Sequence, residues 1–220
     1  MEKSYSFKAQ PKETTALNYI LLKPDDIKEG EKLPLIIFLH GAGERGTDLK
    51  LLKVHGIPKY YNNPDFPVRC ICVAPQCPQD SFWTILTHEL KELTEYIIAT
   101  EPVDENRVSC TGISMGGFGT WDLGALAPDL FSCLAPICGG GQRRLAFRLK
   151  DIPIWAFHGD IDNIVDPSLS LEMVQAVNKA GGKAKLTVFE DTGHGSWNPA
   201  YEKTDLIKWL VSHDKRDNLK

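Results

Sequence analysis

Gly112-Ile113-Ser114-Met115-Gly116 decides the fold of this chain, because it stands between a short apolar run and a segment of helical character. The apolar run, residues 108–113, predicts a strand, and the segment from about residue 115 to residue 127 predicts a helix that Pro128 closes. A serine at such a turn takes a strained backbone conformation, and flanking glycines leave room for it. The pattern therefore indicates an exposed serine nucleophile at Ser114.

The pentapeptide is a weak signal alone, since chance supplies it in roughly one chain of this composition in fifteen. The surrounding pattern is more informative, because apolar runs alternate with amphipathic segments. Strands are predicted at residues 16–22, 33–40, 68–74, 108–113, 131–138, 152–157 and 185–189. Helices are predicted at residues 85–100, 115–127, 168–180 and 199–213. This alternation predicts an α/β fold, with a mostly parallel central sheet and helices on both faces.

The chain has 220 residues, enough for one sizeable core, and we expect a single domain over residues 1–220. Its net charge of −4 offers no basic field, so nucleic acid is not an expected partner. No apolar run approaches the ~20 residues that span a bilayer, and the first residues lack the apolar core of a signal peptide. We therefore expect a cytoplasmic protein.

Six cysteines are present, and their spacings fit neither a zinc site nor a redox pair. Most lie in apolar runs, which predicts small, buried, reduced thiols: Cys70, Cys72, Cys110, Cys133 and Cys138. Cys77 is expected to be more exposed. No metal or organic cofactor is expected.

Ligands of parallel sheets bind beyond the carboxyl ends of the strands. The first such end carries His40-Gly41-Ala42-Gly43-Glu44-Arg45-Gly46, a glycine-rich turn able to present backbone N–H groups. The N–H of Ala42, with that of Met115 at the start of a helix, would bind a developing oxyanion. A plain turn after a buried strand is the alternative. For Glu44 and Arg45 we favour a role in holding the loop over contact with substrate.

The strand ending at residue 157 is followed by three carboxylates within seven residues, which offer a choice of acid beside an imidazole. Asp162 is the preferred candidate, with Asp160 and Asp166 as alternatives. Asp166, ahead of Pro167 and a helix, also suits capping. His158 is expected to fix the loop rather than to act as a base.

The base candidate is His194, which lies between two glycines after the strand predicted at residues 185–189. A histidine in such a loop serves no helix or strand, so a free imidazole is favoured over a core role. With it, the chain carries a serine, an aspartate and a histidine in that order, each shortly after a predicted strand. The ordered set is more specific than any of its members.

With these motifs the chain resembles the α/β-hydrolase serine esterases of the phospholipase/carboxylesterase and prolyl-oligopeptidase-like group, over about residues 33–209. The matching segments are residues 38–46, 112–117, 157–162 and 193–194. The resemblance implies an α/β-hydrolase fold with Ser114 as nucleophile, Asp162 as acid and His194 as base. It also implies Ala42 and Met115 as oxyanion donors.

The expected activity is hydrolysis of a carboxylic ester through an acyl-serine. Residues 139–151 are too few for a cap domain, so we expect an open site that takes a small-molecule ester of a short acyl, aryl or sugar group. Trp83 and Trp197 lie on loops that would wall the pocket. An acyl-protein thioesterase or lysophospholipase activity and a peptidase of the prolyl oligopeptidase type are the enzymatic alternatives. A binding module that has the fold but no catalytic activity is a third alternative.

Overall fold

A computed structural model describes residues 2–8 and 15–218 of the chain. Its strands are β1 (Glu2–Lys8), β2 (Ala16–Leu22), β3 (Leu33–Leu39), β4 (Ile71–Gln76), β5 (Val103–Ile113), β6 (Cys133–Ile137), β7 (Ile154–Gly159) and β8 (Ala184–Phe189). Its α-helices are α1 (Gly56–Tyr60), α2 (Thr87–Thr100), α3 (Met115–Leu126), α4 (Ser168–Lys179), α5 (Trp197–Lys203), α6 (Leu206–Ser212) and α7 (Lys215–Asn218).

The eight strands form one sheet in the order β1-β2-β4-β3-β5-β6-β7-β8. β1 and β2 pair antiparallel, and β2 also pairs antiparallel with β4. All other neighbours, from β4 to β8, pair in parallel. The mostly parallel α/β sheet predicted from the sequence is confirmed, and the carboxyl ends of β3, β5, β7 and β8 lie along one edge.

Two apolar layers cover the sheet. One layer contains residues of α2, α3 and α4, among them Leu93, Trp121 and Val177. The other contains residues of α1, α5 and α6, among them Ile57 and Leu210. β3 is buried at every position, as expected for a strand covered on both faces. Within the described ranges, none of the helices combines the length and apolar character needed to cross a bilayer.

The helix predicted over residues 199–213 is two helices, and that prediction is wrong at its middle. Thr204 ends α5 in an extended conformation. Its hydroxyl donates to the carbonyl of Ala200 at 2.6 Å and accepts the N–H of Leu206 at 3.1 Å. One side chain therefore closes the first helix and opens the second, although the apolar spacing continues through the break.

The expectation that Cys77 is exposed is also wrong. Cys77 directly follows β4 and is fully buried in the layer of α2, where its N–H donates to Nε2 of His40 at 2.9 Å. All six cysteines of the chain lie in the described ranges, and each is a buried free thiol.

Candidate active site

Ser114 occupies a sharp turn between β5 and α3. Its backbone has φ of 52° and ψ of −114°, a strained conformation for a residue with a side chain. A Cβ on Gly112 would lie 2.3 Å from the carbonyl oxygen of Gly116, and a Cβ on Gly116 would lie 1.9 Å from that of Leu39. Both glycines are therefore required sterically, and the turn holds the serine at the end of a central strand.

The structure brings Ser114, His194 and Asp162 into one chain of hydrogen bonds. Nε2 of His194 lies 2.8 Å from Oγ of Ser114, and Nδ1 lies 2.8 Å from Oδ2 of Asp162. Asp162 follows β7 and His194 follows β8, so the histidine reaches the serine across the ends of two intervening strands. The serine hydroxyl donates to one ring nitrogen, and the other ring nitrogen donates to the carboxylate.

The carboxylate of Asp162 is buried and accepts three hydrogen bonds. Oδ1 accepts the N–H groups of Ile164 at 2.9 Å and Val165 at 3.0 Å. Oδ2 accepts His194 and lies 3.2 Å from Nε2 of His158. Burial acts to raise the pKa of Asp162, but the hydrogen bonds from Val165, His194 and Ile164 outweigh it and hold the pKa below its usual value. Asp162 is therefore ionised at neutral pH.

His158 is fully buried behind this carboxylate. Its Nδ1 lies 2.7 Å from Oγ of Ser170, and its Nε2 lies 3.0 Å from the carbonyl of Val165. Burial lowers its pKa. These contacts fit the expected loop-fixing role, and they add a contact to Asp162 that the sequence did not indicate.

The two alternative carboxylates have other partners. Oδ1 of Asp160 accepts the N–H of Thr192 at 3.1 Å and so ties together the loops after β7 and β8. Oδ1 of Asp166 accepts the N–H of Ser168 at 2.8 Å, where α4 begins. Of the three aspartates, Asp162 is the one in contact with His194.

The loop after β3 is rigidly held. Oε2 of Glu44 accepts the N–H of Gly41 at 2.8 Å and closes the 3₁₀ turn Ala42–Glu44. His40 is buried, and its Nδ1 donates to the carbonyl of Gly41 at 2.5 Å while Nε2 accepts from Cys77. Burial lowers the pKa of His40 to about 4, so the ring is neutral and both contacts persist at neutral pH.

Ala42 and Met115 offer their N–H groups at the ends of neighbouring strands. Ala42 follows β3, and Met115 is the first residue of α3 after β5. An N–H in the first turn of a helix has no acceptor within that helix, and the helix dipole favours negative charge there. The two groups remain the proposed oxyanion donors.

A cleft of about 330 Å³ opens beside Ser114. Within the described ranges it is lined by Phe82, Thr84, Ser114, Met115 and Phe118. Sequence reasoning missed both phenylalanines. Phe118 carried a usable signal, because it lies one helical turn after Ser114 and so on the same side of α3. Phe82 carried none, since a turn has no periodicity that shows which of two adjacent aromatic residues faces outward.

Trp83, predicted to wall the pocket, is fully buried, and that prediction is wrong. Its Nε1 donates to the carbonyl of His40 at 2.9 Å, and its ring meets the His40 ring edge-on. A buried indole needs a partner for its N–H, and the loop carbonyl supplies one. Trp83 thus supports the loop after β3 from the protein interior, while its neighbour Phe82 faces the cleft.

Trp197 lies against the histidine of the site. Its ring meets that of His194 edge-on, with centroids 5.4 Å apart. It also lies against the His55 ring, which is tilted relative to it, with centroids 5.3 Å apart. It is partly buried at the start of α5. Contact of Trp197 with substrate remains a proposal, and its packing against His194 restricts how that ring can turn.

Three potential metal ligands lie close together at the site: Cys138, Asp162 and His194, whose donor atoms are within 4.8 Å of one another. Burial raises the pKa of the Cys138 thiol to about 12, so the sulfur keeps its proton. Its Sγ lies 3.3 Å from the backbone N of Ser114. The carboxylate and the imidazole already bond each other, and this accounts for the cluster without an ion.

The chain is similar to several known hydrolases. A model of the prolyl oligopeptidase family matches residues 141–215. A solved structure described as a thermostable esterase is 35% identical with a TM-score of 0.89, and the match covers 97% of this chain and 63% of that one. The chain thus spans less than two thirds of that esterase. No curated protein gives a significant sequence match.

More distant solved structures share the fold. The acylaminoacyl peptidase of Pyrococcus horikoshii is 19% identical with a TM-score of 0.69, over all of this chain and 44% of its own. A ferulic acid esterase is 17% identical with a TM-score of 0.66, over 96% of this chain and 98% of its own. Together with the sheet topology and the match to the thermostable esterase, these likenesses show that the chain has the α/β-hydrolase fold.

Proposed function

We propose that the chain is a serine-dependent carboxylic ester hydrolase. The observation that carries the proposal is the pair of 2.8 Å hydrogen bonds from Ser114 through His194 to Asp162. A serine hydroxyl is a weak nucleophile unless a base takes its proton, and this base is held in the required tautomer by a buried carboxylate. The similarity to a thermostable esterase supports an ester as the substrate.

The mechanism follows from these contacts. Oγ of Ser114 attacks the ester carbonyl while Nε2 of His194 takes its proton, and the N–H groups of Ala42 and Met115 stabilise the oxyanion. Collapse of the intermediate expels the alcohol, which receives the proton from His194. A water molecule, deprotonated by the same imidazole, then attacks the acyl-serine. The bond to Oγ of Ser114 breaks, the carboxylic acid leaves, and His194 returns the proton to Oγ.

Short acyl, aryl or sugar esters are the proposed substrates. The cleft beside Ser114 is open to solvent and lined by two phenylalanine rings, which suits a small apolar group. A peptidase is the second candidate, because the family match is to prolyl oligopeptidases and one fold relative is an acylaminoacyl peptidase.

The first test replaces the nucleophile. We expect Ser114→Ala to abolish both labelling by a fluorophosphonate probe and turnover of 4-nitrophenyl esters, because the alanine has no oxygen to attack the carbonyl. Ser168→Ala, a change at an exposed serine at the start of α4, is the matched control and should retain both.

Substrate class is tested with a panel of 4-nitrophenyl esters from acetyl to palmitoyl, beside an acyl-CoA and a peptide anilide. Preference for the short esters supports the proposal. Labelling of Ser114 together with turnover of the anilide alone would favour the peptidase, and turnover of the thioester alone would favour a thioesterase.

A further inference from the structure

Arg45 joins two loops of the site that are far apart in sequence. Its Nε donates to the carbonyl of Ala42 at 3.0 Å, and its Nη1 donates to the carbonyl of Ser81 at 3.3 Å. The first carbonyl belongs to a proposed oxyanion donor, and the second belongs to the turn that precedes α2. One side chain therefore connects the loop after β3 to the wall of the cleft.

The same guanidinium also lies over the ring of Phe82, with its central carbon 5.0 Å from the ring centroid. An arginine at this distance is attracted to the aromatic face. Phe82 is 48% exposed and lines the cleft, so the guanidinium covers only part of the residue. Because Trp83 is anchored to the carbonyl of His40, the backbone of this turn is fixed as well. Phe82 is thus an exposed aromatic ring that its surroundings hold in place.

The position of the cleft indicates which part of an ester it takes. Among the described residues, its lining comes from the Phe82 turn and from the start of α3, and none comes from the loop that carries His194. The leaving alcohol must lie next to the imidazole that protonates it. The group on the carbonyl carbon then lies on the other side of Ser114, against Phe82 and Phe118.

We propose that Arg45 is a positioning residue that fixes Phe82 as the wall of a subsite for an aromatic acyl group and ties that wall to the Ala42 loop. This inference rests on the proposed function for its acyl-transfer geometry. It adds a substrate class, namely esters with an aromatic acid component. It also adds a residue that sets the preference for these esters. Lysine cannot replace this arginine, because its single ammonium group cannot bond two carbonyls in the guanidinium plane while covering the ring.

The test compares two sulfonyl fluorides that differ in the group placed in the subsite. Ser114 Oγ attacks sulfur and expels fluoride, and the proton of the hydroxyl passes to His194. Phenylmethanesulfonyl fluoride carries a benzyl group, whereas methanesulfonyl fluoride carries a methyl group. The second-order labelling rate of each is followed by intact mass, and their ratio reports the subsite even where no ester is turned over.

We expect Arg45→Lys to lower the benzyl-to-methyl ratio by about fivefold to tenfold, because the benzyl rate falls further than the methyl rate. Phe82→Ala should lower the ratio by a similar factor. The double variant should lower it no further than Phe82→Ala alone, because Arg45 acts through the ring. Arg144→Lys is the matched control, since Arg144 is exposed and hydrogen-bonds Gln142.

Two results would overturn the inference: equal loss of both labelling rates in Arg45→Lys, which indicates a purely structural role for the loop, or additive effects of the two substitutions. Thermal unfolding of every variant separates loss of the subsite from loss of the fold. Running 4-nitrophenyl acetate and 4-nitrophenyl phenylacetate in parallel separates the two proposals. Labelling with the expected ratios but no ester turnover contradicts the proposed function and leaves the subsite supported.

Discussion

At the scale of single residues, the site depends on one buried carboxylate that serves two imidazoles. Oδ2 of Asp162 faces both His194 at 2.8 Å and His158 at 3.2 Å, while Oδ1 is held by two backbone N–H groups. An oxygen with these neighbours can only accept hydrogen bonds. The charge of the carboxylate therefore fixes the tautomer of His194, and with it the ability of Nε2 to take the serine proton.

A substitution that removes the charge of Asp162 but keeps the shape of its side chain should remove this control over the His194 tautomer. In Asp162→Asn the amide NH₂ would face Nδ1 of His194, so the ring would carry its proton on Nε2 and could not accept from Ser114. We expect kcat for ester hydrolysis to fall by about 10⁴, with little change in the thermal midpoint of unfolding. Steady-state kinetics with 4-nitrophenyl acetate measure the loss.

Asp160→Asn is the control for this substitution, because the asparagine keeps an oxygen that can accept from Thr192. It should retain activity within about threefold of the parent chain. Equal activity of the two variants would show that Asp162 is not the acid of the site.

At the scale of elements, the crossing of β3, β5 and α3 is packed so closely that backbone touches backbone. Gly116 lies in the first turn of α3, directly against the carbonyl of Leu39 at the end of β3. This close contact is what places the helix N-terminus, and hence the Met115 N–H, beside the loop of Ala42. The glycines of the elbow therefore serve both the fold and the site.

Gly116→Ala tests this packing. Alanine is the better helix former by about 1 kcal/mol, yet its Cβ would lie 1.9 Å from the Leu39 carbonyl oxygen, which is backbone and cannot rotate away. We expect the free energy of unfolding in urea to fall by about 3 kcal/mol. In the control Gly43→Ala the new Cβ meets nothing within 4 Å, and the change should stay within about 0.5 kcal/mol. Similar values for the two variants would contradict the packing argument.

At the scale of the whole molecule, two buried histidines make stability depend on pH. Burial lowers the pKa of His40 to about 4 and also lowers that of His158. His40 meets Cys77 N–H and the Gly41 carbonyl, with Glu44 and Arg45 nearby. The groups around His158 are Asp162, Ser170, the Val165 carbonyl and His194.

The sign of the effect follows from proton binding. An unfolded histidine titrates near about pH 6.5, so between that pH and the lower folded value the unfolded chain binds more protons. Stability is therefore complete above about pH 6.5 and declines as the pH falls. Between about pH 7.5 and about pH 5, His40 alone should account for a loss of about 2 kcal/mol.

Urea unfolding of the parent chain and of His40→Gln at these two pH values measures that contribution. The variant should lose about 2 kcal/mol less than the parent over the same interval, whatever its own stability. His88→Gln, at an exposed position of α2, is the control and should follow the parent. Parallel behaviour of His40→Gln and the parent would contradict the assignment of His40 as a buried neutral ring.

Much of the fold and of the candidate site could be predicted, because the candidate catalytic residues come directly after strands that the sequence pattern indicates. Each of Ser114, Asp162 and His194 comes shortly after a strand, and parallel strands bring such residues to one edge. The features that escaped prediction depend on tertiary contacts: the place of Phe82 rather than Trp83 in the wall of the cleft, the burial of Cys77, and the contact between His158 and Asp162. The break at Thr204 was missed because a local side-chain hydrogen bond overrode a continuing apolar pattern.

The six buried thiols allow unfolding to be followed separately on the two sides of the sheet. Cys77 and Cys110 lie in the layer of α2, α3 and α4, whereas Cys70, Cys72, Cys133 and Cys138 lie in the layer of α1, α5 and α6. Alkylation requires a thiolate, which burial suppresses in the native state. The rate at which a maleimide alkylates each cysteine therefore measures how fast that side of the sheet becomes exposed to solvent. The measurement needs no engineered probe.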